Sequence, residues 1–120
     1  MKSIAIKLLG VASIDINVND DYHIYIDSFN SINQSPSLNS KDIIIFTHAD
    51  GDHFSVESLI TVYKGNTIIG PPSIVFPLMK TGIVDCNKLL IEYPEQINIP
   101  KSISINDITV SFYQSKHFID

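Results

Sequence analysis

The four residues Ile43-Ile44-Ile45-Phe46 constrain this chain more than any other stretch. A half-buried strand alternates apolar with polar residues. This one is apolar at every position, so it must be covered on both faces and belongs at the centre of a sheet. The segment immediately after it is unusual. Thr47-His48-Ala49-Asp50-Gly51-Asp52-His53-Phe54 carries two histidines and two aspartates within six positions. A buried strand that runs straight into coordinating side chains gives a rigid base to an exposed loop, which is where binding and catalytic groups concentrate.

The rest of the chain can be arranged around that strand. Ser3–Leu9 is a short apolar run stopped by Gly10. Ala12, Ile14, Ile16 and Val18 alternate with Ser13, Asp15 and Asn17, the period of a half-buried strand. Asn19-Asp20-Asp21 is turn chemistry, and Tyr22–Asp27 alternates again, which makes a hairpin. Ser28–Ser40, rich in Ser and Asn and containing Pro36, reads as a loop. Beyond the coordinating loop, Ser55 is a helix cap with Glu57 in the first turn, and the helix runs to about Tyr63 with Gly65 after its end. Thr67–Ile69 is a short buried strand broken by Gly70-Pro71-Pro72. Ser73 can cap a second helix to about Thr81, with Gly82 as the stop and Pro77 making it short or kinked. Lys88–Glu92 reads as a strand, and Ile103–Ile105 with Ile108–Phe112 forms a hairpin around Asn106-Asp107. The result is one domain over residues 1–120, α+β in class with α/β crossings: a mixed sheet and two short helices.

Bulk properties remove several classes of function. With 44% hydrophobic and 18% charged residues the chain is globular in composition. The net charge of −5 argues against binding nucleic acid or an anionic membrane. All eight basic residues are lysines, so no arginine fork exists for bidentate phosphate recognition. A single cysteine, Cys86, allows no intrachain disulfide and reads as a small buried apolar residue. Lys7 interrupts the N-terminal apolar run and no small-residue cleavage site comes after it, so no signal peptide is expected. No stretch approaches the ~20 apolar residues of a membrane span. These features point to a cytoplasmic protein.

His48, Asp50, Asp52 and His53 offer imidazole nitrogens and carboxylate oxygens, the donors of Zn, Mn or Fe in hydrolytic sites. Gly51 between the carboxylates frees the backbone, and the Thr47 hydroxyl can orient the loop. A calcium-loop reading fails. With Gly51 at the sixth position Glu57 does fall at the twelfth, but Phe46 and His48 then occupy the first and third, where oxygen ligands are needed. One histidine alone would read as part of a polar surface loop. Two with two aspartates behind a buried strand read as a ligand set.

The stretch Thr47–His53 resembles the metal-binding signature T-H-x-H-x-D-H of the metallo-β-lactamase superfamily. Upstream, IKLLGVAS (Ile6–Ser13) is similar to the W-L-G-H-A-S segment of that superfamily's small metal-dependent hydrolases, and IYIDSF (Ile24–Phe29) to their I-x-I-D-P-F. TIIGPPS (Thr67–Ser73) and the late strand ending in QSKH (Gln114–His117) fit the same pattern. The closest branch includes the L-ascorbate-6-phosphate lactonases. The resemblance spans nearly the whole chain, with the central motif more specific than the flanking ones.

This resemblance implies a fold, the N-terminal half of an αββα sandwich, and a ligand set. His48, Asp50 and His117 would serve one metal ion. Asp52 and His53 would serve a second, with Asp52 also holding the attacking water. Zinc is the implied metal, one ion or two, with manganese or iron(II) as alternatives. The implied reaction is metal-assisted hydrolysis of an ester, lactone or phosphodiester-type bond in a small molecule. Asp27 matches the family's strand-end aspartate, with a supporting role or simply a turn-forming one. His23 receives no role and reads as an exposed strand histidine.

Three departures stand out. Asp50 replaces the usual second histidine, which adds negative charge, weakens the Lewis acid and favours harder metals. Val11 stands where a histidine is common. The superfamily's second half, which would supply a bridging aspartate and a last histidine, is missing from these 120 residues. A fragment, a chain completed by itself or by a C-terminal half, and a truncated non-catalytic relative acting as a metal-binding or interaction module all remain open. Each implies an exposed apolar surface.

Overall fold

The computed structural model describes residues 4–10, 13–29, 37–47, 55–84, 89–91, 101–105 and 108–112. The chain opens with an antiparallel meander, β1 (Ile4–Gly10), β2 (Ser13–Val18) and β3 (Tyr22–Ile26). Asn19 and Asp20 turn β2 into β3 with φ of +57° and +56°, and the Asp21 N–H donates to the Val18 carbonyl at 3.0 Å. Left-handed backbone is tolerated best by Asn and Asp after Gly. The Asn17 side chain fixes the turn further, its amide donating to the Asp20 carboxylate and its oxygen accepting from the Asp20 N–H.

After the meander the sheet becomes parallel. β4 (Ile43–Ile45), β5 (Thr67–Gly70) and β6 (Leu89–Ile91) come after β3 in spatial order, with Ile26 opposite Ile45 and Ile45 opposite Ile69. Parallel neighbours need crossovers. Helix α1 (Val56–Val62) links β4 to β5, and α2 (Pro72–Lys80) links β5 to β6. Both helices cover one face, as two crossovers of one hand require in a sheet that grows in one direction. The link from β3 to β4 spans residues 27–42, and its described parts contain no helix. Its Phe29 and Leu38 are buried with the helix-side core, so the described parts of this link pack onto that core.

The all-apolar strand β4 sits centrally and is covered on both faces, as its composition requires. Ile44 packs with Tyr25, Phe46, Ile68, Leu59, Ile74 and Leu78 beneath the helices. Ile43 and Ile45 pack on the other face with Val18, Tyr22, Ile24 and Ile69. That second face is closed by the hairpin β7 (Lys101–Ile105) and β8 (Ile108–Phe112), through Ile105, Ile108 and Val110. Each isoleucine buried this completely contributes roughly 1.5–3 kcal/mol. Among the described residues the exposed large apolar side chains are Phe76, Met79 and Ile83, on and just after α2, so none lies over the central strands.

Helix starts show where local chemistry decides. Ser55 caps α1 as expected, its Oγ accepting from the Ser58 N–H at 3.3 Å. The expected Ser73 cap is corrected: α2 starts at Pro72, with Pro71 at the cap position and no side-chain cap bond. Proline at the first helical position has φ preset and lacks an N–H that would be unpaired there, so no hydroxyl cap is needed. Pro77 does not stop the helix, which runs nine residues to Lys80 before Thr81 and Gly82 (φ +70°) end it. Ser73 and Pro77 are both exposed, so water can serve the Ser73 carbonyl that the proline ring leaves without an N–H.

Candidate metal centre

The carboxyl ends of the parallel strands β3, β4 and β5 lie side by side, the usual location of ligand sites in open sheets with crossover helices. Two backbone bonds carry the ladder past the strand ends. The Asp27 N–H donates to the Ile45 carbonyl at 3.0 Å, and the Phe46 N–H to the Ile69 carbonyl at 2.9 Å. Thr47, the last residue before the coordinating loop, therefore leaves a backbone already tied on both sides.

Asp27 then takes hold of Thr47 directly. Its Oδ1 accepts from the Thr47 N–H at 2.9 Å and its Oδ2 from the Thr47 hydroxyl at 2.5 Å. The aspartate is 5% exposed and has φ of +51°. A buried carboxylate needs such donors, and bonds to a charged acceptor contribute about 1.5–3 kcal/mol each. Left-handed backbone at a residue other than glycine is held by its surroundings, here by this clamp. Asp27 thus turns the chain after β3 and holds Thr47 just beyond β4.

The far end of the loop returns to the same place. The Ser55 N–H donates to the Phe29 carbonyl at 2.6 Å, and the Ser55 side chain starts α1. Residues 48–54 are therefore bracketed by two anchors, both supplied by residues 27–29. Ser28, between those anchors, is buried and donates its hydroxyl toward the Ile14 and Ile26 carbonyls at 3.3 Å, which ties the segment back to β2.

Gly70 adds a steric element that no sequence motif signals. A Cβ built there would meet the Phe46 Cβ at 3.2 Å and the Phe46 carbonyl oxygen at 3.6 Å. The end of β5 lies tightly against the residue preceding Thr47, and only glycine leaves that approach undisturbed.

The ligand candidates His48, Asp50, Asp52, His53 and His117 lie outside the described residues, as do Val11, Gly51 and Cys86. Among the described residues no group of three His, Cys, Asp or Glu side chains could hold a metal ion. No described helix is long and apolar enough to cross a membrane.

His23, the remaining histidine, is not brought to this end of the sheet. It sits at the amino end of β3, half-buried, with Nδ1 2.6 Å from Asp15 Oδ1 and its ring stacked on Tyr25 at 5.5 Å. The reading as a simple exposed strand histidine is thereby corrected. Its direct cross-strand partner is Asn17, and it reaches the diagonal neighbour Asp15 instead. The Tyr25 hydroxyl is pushed up to about 12, first by burial and then by the charges of Asp15 and Asp42. It stays protonated at neutral pH and is no general base there.

Compared with known proteins, the chain matches no family model and none of the curated proteins.

Proposed function

We propose that this chain is a metal-dependent hydrolase of the metallo-β-lactamase superfamily, acting in the cytoplasm on an ester, lactone or phosphodiester-type bond of a small molecule. The observation that carries the reading is the bracketed loop. Its donor-rich residues start one position after a threonine held at two points by buried Asp27, and they end at a serine held by the Phe29 carbonyl. A ligand set requires supporting anchors of this kind.

The donor chemistry fits a divalent ion. His48, Asp50 and His117 would hold one ion, and Asp52 and His53 a second, with zinc first and manganese or iron(II) as alternatives. Such an ion supplies Lewis acidity toward a substrate oxygen and makes water more acidic. The chain's own contribution is positional. Asp27 and Thr47 fix the loop's start, Ser55 fixes its end, and the Asp52 carboxylate would hold the attacking water.

The second reading is a non-catalytic relative, a metal-binding or interaction module that acts with a completing half or another copy. The carboxylate of Asp50 in the histidine position of the motif favours it. Reconstitution with Zn, Mn and Fe, then metal analysis and a panel of lactones, esters and phosphodiesters, separates the two. Bound metal with hydrolysis that His48→Ala abolishes supports the enzyme. Bound metal without hydrolysis supports the module. No bound metal after reconstitution overturns both the hydrolase and the metal-binding form of the module. Asp50→His should tighten metal binding if the loop holds an ion, and leave it unchanged if the loop is only surface.

A further inference from the structure

We draw no further inference here: the strongest candidate, the exposed apolar stripe of Phe76, Met79 and Ile83 on and just after α2, carries nothing because nothing in the structure shows what covers it.

Discussion

The two ends of the parallel strands use the same device for different purposes. At the amino end, Asp42 precedes β4 and is 2% exposed; its carboxylate accepts from the His23 N–H of β3 and the Asn39 N–H, both at 2.8 Å. At the carboxyl end, Asp27 comes directly after β3 and accepts from Thr47 just beyond β4. Each is a buried aspartate that ties one parallel strand to the next. The amino-end network closes on itself. Asn66, fully buried, donates to the Asn39 and Asp42 carbonyls and accepts from the Lys64 N–H, so the starts of β3, β4 and β5 are joined to one another. The carboxyl-end clamp instead leads into the loop that carries His48, Asp50, Asp52 and His53 in the sequence. The difference teaches that a buried aspartate alone does not mark a site. What separates the two is the composition of the segment that comes next.

The most direct way to break this comparison is to remove each aspartate in turn. Asp27→Ala and Asp42→Ala each delete a carboxylate that accepts two hydrogen bonds among the described residues, so each should cost on the order of 3 kcal/mol of stability. For Asp27, placing alanine at a positive φ adds roughly 1 kcal/mol more. Chemical denaturation measures that loss. Metal titration of the folded protein should then diverge: Asp27→Ala weakens binding by about tenfold or more, whereas Asp42→Ala leaves it within about twofold, on the usual scale of outer-shell mutations. Equal losses of affinity in the two variants would remove the functional distinction between the ends. Asp27→Asn grades the effect, because the amide oxygen still accepts one bond while the charge is gone.

Gly65 before β5 and Gly70 at its end test the same asymmetry by packing. Gly70→Ala forces a Cβ to 3.2 Å from Phe46 and should cost about 1–3 kcal/mol as overpacking, displacing the residue next to Thr47. Gly65 lies at the amino end, with φ of +75° and nothing within 4 Å of a Cβ. Gly65→Ala should cost only the roughly 1 kcal/mol of left-handed backbone and leave the loop alone. Thermal unfolding together with metal affinity checks both. A Gly65 variant that harms metal binding as much as the Gly70 variant would mean that the two ends are coupled.

Much of the frame is legible in residue types. The run Ile43–Phe46 announces a strand covered on both faces because no other placement buries every side chain. Ser55 announces a helix start because a hydroxyl there satisfies an open N–H. Less is legible where the backbone decides. Phe29 and Leu38 sit in a polar stretch that reads as a loop, yet they pack a crossover between parallel strands. The start of α2 is missed because proline substitutes geometry for the hydrogen bond that a serine cap makes. At the candidate site, Asp27 and Thr47 each attract notice alone, but the contact between them joins residues 20 apart, and no local pattern encodes it. The Phe29–Ser55 bond is invisible in sequence because both groups are main chain. His23 is misread for a related reason: its partner is set by diagonal reach across a register that composition does not specify.

The smallest effect at neutral pH concerns Tyr25, a β3 residue directly opposite Asp15 of β2. Its hydroxyl is raised from 10.0 in a free chain to about 12 in the fold, by burial and then by Asp15 and Asp42. Proton linkage sets the sign. Below pH 10 the hydroxyl is protonated in both states and its contribution to stability is fully present. Between pH 10 and about 12 the unfolded chain loses the proton while the fold retains it, so stability falls as pH rises through that window. Tyr25→Phe keeps the ring stacked on His23 and edge-on to Phe29 at 6.3 Å, but removes the titrating group. Denaturation profiles should therefore coincide in shape at neutral pH, with the parent losing stability faster above pH 10. Tyrosinate absorbance gives an independent check, since one of the five tyrosines should ionise late in the parent and be missing in the variant. Identical alkaline profiles would show that neither burial nor the charges of Asp15 and Asp42 raise the Tyr25 hydroxyl in the fold.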